Sequence, residues 1–200
     1  MNNIDFENNK DIFARLFVTA IQNKINLSSF VYMLERSRFV SVIESNKYDD
    51  YLNKTIEDIF YDVTNNRIAK DNSYGIYNDA YWCGASYFEL FQRTRKPLAY
   101  IFLKLPLTKL IDIYSIYHEM DVSSLVQFFN KIEKEKTILR LLCEQKKCSL
   151  TKLSAATGIN AATLSKYNAS DDCLYNGSFQ NITKIARYFD APINLFLKEI

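Results

Sequence analysis

The side chains best suited to acid–base or metal chemistry lie together in the stretch YHEMD, residues 117–121. His118, Glu119 and Asp121 combine an imidazole with two carboxylates, the usual groups of proton transfer and metal binding. The chain has one histidine, and no HExxH spacing, glycine-rich phosphate loop or GxSxG elbow accompanies the cluster. We therefore expect His118 to be structural, donating to a carboxylate or a neighbouring carbonyl, and expect the protein not to be an enzyme.

Cysteines are a second source of reactive groups. Cys83, Cys143, Cys148 and Cys173 form no CxxC pair and lie far in sequence from His118, so their spacing disfavours a zinc site. We expect reduced thiols that are mostly packed in the interior, where a free thiol behaves as a small apolar group. No metal and no cofactor are predicted.

Charge is distributed unevenly along the chain. The net charge is +2, but residues 1–133 hold 15 Lys and Arg against 17 Asp and Glu, whereas residues 134–200 hold 10 against 6. A basic C-terminal end suits contact with phosphate, because neutralising phosphates releases bound counterions.

The elements that must position these groups are predicted to be helices. With 48% hydrophobic residues, 24% charged residues, 4 Gly and 3 Pro, the composition is that of a soluble chain with a real core. Apolar residues recur every three or four positions in residues 9–24, 28–44 and 52–63, and Pro97 and Pro106 mark first helical turns. We therefore predict an all-α fold. Because no apolar run approaches the roughly 20 residues that cross a bilayer, we expect a cytoplasmic protein without a membrane partner.

Polar residues predict where several helices begin and end. Ser28 or Ser29 is a candidate cap for the second helix. Asp121 is a candidate cap for a helix that either runs on as one long element or breaks near residues 133–136. The polar stretch TNNRIAKDNSYG, residues 64–75, indicates a flexible loop.

In the C-terminal third, local signals agree over more than sixty residues. Ser149 is suited to cap a helix, Gly158 to end it in a left-handed turn, and Asn160 to cap the next helix. This spacing is that of a helix-turn-helix. The residues predicted to face inward are Ile138, Leu141, Leu142, Leu153, Ile159 and Leu164.

The stretch CSLTKLSAATGINAATLSKYN followed by FQNITKIARYFDAPINLFL resembles the Cro/C1, or XRE, family of bacterial and phage regulators. The likeness covers about residues 136–197. It is carried by Cys148, Ser149, Leu153, Ser154, Gly158, Ile159, Thr163, Leu164, Ser165 and Tyr167, and by the apolar Ile182, Ile185, Ala186 and Phe189 with Ile193, Leu195 and Phe196. The resemblance implies a five-helix, lambda-repressor-like domain at residues 131–200 that binds double-stranded DNA, preceded by a helical partner or oligomerisation domain at residues 1–130.

By this resemblance, two sets of residues contact DNA. The base-facing set is Asn160, Ala161, Ala162, Thr163 and Lys166. The phosphate-contacting set, near the start of the preceding helix, is Lys146, Lys147, Ser149, Thr151 and Lys152. Alanine offers only a methyl group, so one domain is expected to bind with little discrimination. Specificity is then expected from a homodimer on spaced half-sites or from DNA shape.

Two departures from the family pattern concern charge. Asn168 stands where the family commonly has Glu, and the turn ASDDCLYNGS, residues 169–178, is longer than usual. Asp171 and Asp172 within it add negative charge close to the expected phosphate path.

Aromatic residues crowd the region from Tyr74 to Phe91, where core and interface are favoured over a ligand pocket. The candidate partner or interface residues are Tyr81, Trp82, Tyr87, Phe91 and His118. The motifs Tyr81-Trp82-x-Gly84 and His118-Glu119-x-Asp121 resemble a helical module that precedes such DNA-binding domains in uncharacterised bacterial proteins, some suspected to be antitoxins. The sequence thus predicts a dimeric transcriptional regulator. The alternative is an antitoxin-like protein that binds and neutralises a partner protein, a toxin or effector, through its N-terminal domain, with autoregulation by the helix-turn-helix.

Overall fold

The computed structural model describes residues 3–45, 51, 54–65 and 77–197. Across these ranges the chain forms fourteen α-helices, a 3-10 turn near the C-terminal end and no strand, which confirms the predicted all-α fold. The helices are α1 (Asn3–Gln22), α2 (Leu27–Glu35), α3 (Arg38–Glu44), α4 (Ile56–Thr64), α5 (Tyr77–Thr94), α6 (Leu98–Lys104), α7 (Leu107–Asp112), α8 (Tyr114–Tyr117), α9 (Val122–Ile132), α10 (Ile138–Gln145), α11 (Leu150–Thr157), α12 (Ala161–Ala169), α13 (Asp171–Tyr175) and α14 (Phe179–Phe189), and the 3-10 turn is Ile193–Phe196. None of the described helices is long and apolar enough to span a membrane.

The chain divides into two compact units, Met1–Gln127 and Phe128–Ile200. The stretch after Asp121 is two helices, because α9 ends at residue 132 and α10 begins only at residue 138. Asp121 starts α9 as predicted, since its Oδ1 accepts the N–H of Ser123 at 2.8 Å. The hydrogen bonds from Ser123 also hold the pKa of the Asp121 carboxyl below its ordinary value.

In the first unit, α1 and α5 pack with their backbones almost in contact. A Cβ atom added to Gly84 would lie 2.7 Å from the Cα of Ala14 and 2.9 Å from the carbonyl oxygen of Phe13, so only glycine fits there. Phe13, Ala14 and Phe17 are completely shielded from solvent. The glycine of the sequence motif that begins at Tyr81 is thus explained by helix packing.

Aromatic rings fill the core of the first unit. Phe17 meets Phe30 edge-on with ring centroids 5.4 Å apart, and Tyr87 meets Phe102 edge-on at 4.8 Å. Such edge-to-face pairs contribute about 0.5–1.5 kcal/mol beyond the burial of their surface. The aromatic side chains that are at most 1% exposed are Phe13, Phe17, Phe30, Phe39, Phe60, Tyr87 and Phe88.

The start of α2 corrects one prediction. The cap is Asn26 rather than Ser28 or Ser29, because the Oδ1 of Asn26 accepts both of their N–H groups, at 2.9 and 3.2 Å. Leu27 is already helical and buried. The polar residue that precedes this buried leucine is therefore the one that caps the helix.

Short helices in this unit are started by a cap or a proline. The periodic stretch 28–44 is two helices, because Ser37 interrupts it and accepts the N–H of Val40 at 3.2 Å to begin α3. Pro97 and Pro106 directly precede α6 and α7, with φ values of −54° and −63°. Each proline thus stands next to the first turn, where its missing N–H costs nothing.

Helix α4 shows where the predicted loop begins. Thr55 and Asp58 form a reciprocal capping box at its start. The helix ends at Thr64, and Asn65 follows in the left-handed region with a φ of +49°. The rest of the predicted loop, residues 66–75, lies outside the described residues.

In the second unit, helices α10–α14 and the 3-10 turn enclose a separate core. The side chains fully shielded from solvent come from every one of these elements: Ile138, Leu139, Leu153, Leu164, Leu174, Ile185 and Phe196. Leu142 is buried as predicted, but Leu141 is only half-buried, and Leu139 takes the fully buried place instead.

Candidate nucleic-acid interface

Ser149 and Gly158 set the two ends of α11, as predicted. The hydroxyl of Ser149 accepts the N–H of Lys152 at 3.2 Å. Gly158 adopts the left-handed region with a φ of +68°, and its N–H donates to the carbonyl of Ser154 at 2.8 Å. A Cβ atom at Gly158 would meet nothing within 4 Å, so its backbone conformation alone calls for glycine.

The turn between α11 and α12 is fixed by hydrogen bonds at each step. Ile159 is 3% exposed, and its carbonyl accepts the Ser154 hydroxyl at 2.7 Å. The hydroxyl of Thr157 accepts the N–H of Ile159 at 3.3 Å. Asn160 then caps α12, because its Oδ1 accepts the N–H of Ala162 at 2.8 Å. The angle at which α12 leaves the turn is therefore set by local contacts.

The inner side of α12 is held by its large residues. Leu164 is fully buried and Tyr167 is 7% exposed. The Tyr167 hydroxyl accepts a hydrogen bond from Nδ2 of Asn181 on α14 at 3.4 Å. A Cβ atom at Gly177 would lie 2.8 Å from that hydroxyl oxygen, so glycine is needed for this approach. With its inner side fixed, α12 presents a defined outer face.

The outer face of α12 carries most of the predicted base-facing set. The exposed members of that set are Asn160, Ala161, Ala162 and Lys166. Thr163 is half-buried, so its hydroxyl is less accessible than predicted for a base contact. Ser165 is exposed and one helical turn from Ala161. The candidate set omitted Ser165, although its spacing of four from Ala161 already pointed to a shared face.

Four residues of the predicted phosphate set lie exposed at the start of α11: Lys147, Ser149, Thr151 and Lys152. Lys146 is also exposed, but its Nζ donates to the carbonyl oxygen of Tyr188 and lies 4.4 Å from the centroid of that ring. A lysine that binds a carbonyl in the last turn of a helix stabilises that helix end. Lys146 is thus engaged within the domain, by α14.

The acidic insertion forms α13 and has a structural contact. Oδ1 of Asp171 accepts the N–H of Ile138, the first residue of α10, at 2.7 Å. Next to it, the hydroxyl of Thr137 donates to the carbonyl of Asn168 at 2.9 Å. The half-buried Asp171 therefore closes the start of α10, whereas Asp172 is exposed.

Tyr87 corrects the set of partner candidates in the first unit. It is 0% exposed, and its hydroxyl donates to the carbonyl of Leu105 at 3.0 Å. A fully buried side chain offers no surface to a partner, so Tyr87 belongs to the core. Tyr81 is 37% exposed and donates to Oδ1 of Asp11 at 2.9 Å, while Phe91 is half-buried.

His118 lies in a short series of rings. Its Nδ1 is 2.8 Å from the carbonyl oxygen of Tyr114, a contact in which a protonated Nδ1 donates. The imidazole stacks on the Tyr114 ring at 4.5 Å, and that ring meets the half-buried Trp82 edge-on at 5.3 Å. Nε2 lies 3.5 Å from a carboxylate oxygen of Glu119. These contacts agree with the expected structural place of His118.

The four cysteines are free thiols. Cys83 and Cys143 are buried, Cys148 is half-buried and Cys173 is exposed. Burial raises the pKa of the Cys83 thiol to about 12, so this thiol is protonated near neutral pH. Where the structure describes the chain, no group of three or more His, Cys, Asp or Glu residues could hold a metal ion.

Comparison with protein families identifies the C-terminal domain. Residues 138–194 match the Cro/C1-type HTH DNA-binding domain. This range covers the predicted helix-turn-helix and confirms the resemblance found in the sequence. The match supports a DNA-binding regulator. The chain matches no curated protein and no solved structure.

Proposed function

We propose that the protein is a transcriptional regulator that binds double-stranded DNA as a dimer, with α12 in the major groove. The observation that carries this proposal is the exposed outer face of α12, together with the exposed Lys147 and Lys152 at the start of α11. The free N–H groups at the start of α11 add a favourable site for a phosphate. Residues 1–130 then supply oligomerisation or partner contacts.

The composition of α12 supports the dimer. Of its exposed side chains, Ala161 and Ala162 can only make apolar contacts, for example with a thymine methyl group. Ser165 and Lys166 bring polar groups, and Asn160 keeps its Nδ2 donors although its Oδ1 is used in the cap. A good base contact discriminates by about 1–3 kcal/mol. Because one domain makes few such contacts, sequence discrimination requires a second domain bound to a half-site about 34 Å away.

The proposal is tested by titrating the full-length protein onto its own upstream DNA at increasing salt, with fluorescence anisotropy as the readout. We expect affinity to fall steeply with salt, by a log–log slope of about 0.9 for each phosphate contact. Lys166→Ala should weaken binding, whereas Lys24→Ala, which removes an exposed lysine of the first unit, should not. Absence of binding at the lowest salt would reject DNA binding.

The dimer is tested separately by analytical ultracentrifugation of the protein with and without DNA. We expect a species of twice the 23.4 kDa chain mass and two chains per DNA duplex. A single chain per duplex at saturation would reject the dimer while leaving the DNA-binding role intact.

An antitoxin-like role is the second candidate, and exposed apolar side chains in the first unit favour it. Ile111, Ile116 and Met120 are 37%, 59% and 50% exposed within ten residues of chain. Apolar side chains grouped on a surface often mark a protein-binding site. We propose that this segment binds and neutralises the product of a neighbouring gene.

Co-expression with that product tests the second candidate. A complex of fixed ratio that Ile116→Asp disrupts would support it. Tyr61→Asp is the matched control, because Tyr61 is also exposed, at 46%, on a different helix. Recovery of both proteins separately, with no complex, would reject the candidate.

A further inference from the structure

Two cysteines meet at the turn that joins α10 to α11. The N–H of Cys148 donates to the carbonyl of Cys143 at 3.0 Å, and the N–H of Lys147 donates to the carbonyl of Glu144 at 3.2 Å. Lys147 adopts a left-handed φ of +50°. These features define a Schellman motif, in which the first and last residues place their side chains against each other. Here those two residues are Cys143 and Cys148.

The backbone geometry suits a disulfide. A direct N–H to carbonyl hydrogen bond of 3.0 Å between Cys148 and Cys143 keeps their Cα atoms within about 7 Å, the range that a disulfide bridge can span. The chain therefore needs little rearrangement to join the two sulfur atoms.

The Cys148 thiol interacts with the side chains of both Cys143 and Tyr188. Burial raises the pKa of the Cys143 thiol to about 12, and its interaction with Cys148 acts in the same direction. Desolvation raises the pKa of the Tyr188 hydroxyl, with a further contribution from its interaction with Cys148. The carbonyl of Tyr188 is bound by Lys146, which holds this tyrosine at the site.

Exposure distinguishes the two thiols. Cys143 is 9% exposed, whereas Cys148 is half-buried and immediately precedes the cap of α11. A small oxidant therefore reaches Cys148 first, and Cys143 stands behind it.

We propose that Cys143 and Cys148 form a dithiol that a hydroperoxide oxidises to an intramolecular disulfide. The Cys148 sulfur attacks one peroxide oxygen, so that an S–O bond forms as the O–O bond breaks, and the departing oxygen leaves as water or alcohol with the Cys148 proton. The Cys143 sulfur then attacks the Cys148 sulfur. The S–S bond forms as the S–O bond breaks, and the hydroxyl leaves as water with the Cys143 proton. Two thiols lose two electrons and two protons, which the peroxide gains.

The disulfide would change the surface that α11 presents. It brings the sulfur atoms to about 2.05 Å, removes the Tyr188 contact to a free thiol, and constrains the residue before Ser149. This consequence rests on the proposed function, because Lys147 and Ser149 flank the dithiol and belong to the phosphate set. We expect the oxidised protein to bind DNA more weakly.

The test uses the reduced full-length protein, hydrogen peroxide, alkylation of the remaining thiols and tryptic mass spectrometry. Trypsin cuts after Lys146 and Lys147, so the disulfide joins two separate peptides, LLCEQK (residues 141–146) and CSLTK (residues 148–152). We expect this linked pair, with a mass loss of about 2 Da in the intact protein, at a rate that does not change on dilution. The proposal would be overturned if Cys143 remains a free thiol that can be alkylated after Cys148 has been oxidised. It would also be overturned if Cys148 forms a disulfide with Cys173 instead.

Three variants sharpen the result. Cys173→Ser removes the exposed thiol of α13 and should leave the linked pair unchanged. Cys148→Ser should abolish oxidation of Cys143, and Cys143→Ala should leave a sulfenic acid on Cys148 that a 1,3-diketone reagent traps. Oxidation of Cys143 in the Cys148→Ser protein at the wild-type rate would contradict the assigned order. Because mass spectrometry detects the disulfide without DNA, failure of the dithiol and failure of DNA binding are distinguishable.

Discussion

The two units of the protein are specified in different ways. In the first unit the largest fully buried side chains are aromatic, and contacts such as Phe17 with Phe30 join residues of different helices. In the second unit the positions of the helix ends are set by local residues, namely caps such as Ser149 and Asn160 and the left-handed Gly158. Capping signals lie within a few residues of one another, whereas ring contacts join distant parts of the chain.

The two glycines of these units illustrate the same difference. Gly84 is required because another helix occupies the space of a Cβ atom, and Gly158 is required because of its own φ value. The first requirement arises only after α1 and α5 have packed, whereas the second is already present in the isolated turn. A unit built on local requirements is therefore recognisable from a single sequence, and a unit built on packing is not.

The largest expected effect is that of Gly84→Ala. The added methyl group would press on backbone atoms of α1 that cannot rotate away, so we expect the first unit to lose about 3 kcal/mol of stability. Trp82 is the only tryptophan, and its fluorescence during urea unfolding reports on this unit. Gly158→Ala is the matched control and should cost the second unit only about 1 kcal/mol, measured by hydrogen exchange of α11 and α12. Equal losses from the two substitutions would remove the distinction between the units.

The next effect concerns a contact in the second unit that is not local. Asp171→Ala leaves the N–H of Ile138 without its carboxylate, so we expect a loss of about 1–2 kcal/mol, measured by hydrogen exchange of α10. Glu135→Ala removes one negative charge from an exposed position of the same unit and should stay within about 0.5 kcal/mol of wild type. If both variants are equally stable, the Asp171 contact has no stabilising role.

Whether a structural feature can be predicted from the sequence depends on how far apart its interacting residues lie along the chain. The cap at Ser149, the turn at Gly158 and the cap at Asn160 were predictable because each depends on neighbours along the chain. The cap of α2 lies at Asn26, two residues before Ser28 and three before Ser29, because Leu27 is already helical and its identity does not reveal that. The role of Asp171 was not predictable at all, since its partner is 33 residues away.

The surface was harder to predict than the core. Leu141 is only half-buried although its spacing predicts burial, and Leu139, which is not in the predicted inward set, is fully buried. Periodicity alone does not determine which apolar residues of α10 its neighbours cover. In the same way Tyr87, one of five aromatic and histidine candidates for an interface, is buried by Leu105 and Phe102. Apolar spacing predicts that a helix has an inner face, and only packing decides which residues remain outside.

A smaller effect is expected from Lys147→Gly. Lys147 holds a left-handed φ that glycine adopts without strain, so the variant should gain up to about 1 kcal/mol of stability while DNA affinity falls and the salt slope decreases by about 0.9. Lys24→Gly is a close control, because Lys24 is exposed and has a φ of +60° in the first unit. It should be stabilised in the same way with unchanged DNA binding. Loss of affinity in both variants would indicate a general effect of charge rather than a contact at Lys147.

The smallest effect is a pH dependence of the second unit. The hydrogen bond from Lys136, assisted by Arg140, lowers the pKa of Glu144 below its ordinary value of 4.5. Because the folded state binds this proton more weakly, the stabilisation is fully present above pH 4.5 and is lost as the pH falls below it. Glu144→Gln should therefore be slightly less stable than wild type at neutral pH and equal to it in acid. Calorimetry at both pH values measures this difference, and a difference that grows in acid would have the wrong sign.

The bond between Asp171 and Ile138 also bears on the synthesis of the chain. The first helix of the DNA-binding domain leaves the ribosome well before the residue that closes its start, since the two are 33 positions apart. Until Asp171 emerges, that helix has only Thr137 at its beginning, and its neighbours α12 and α13 are not yet available to cover it. We expect the domain to become resistant to protease in a single late step of translation, after α13 has appeared, rather than helix by helix.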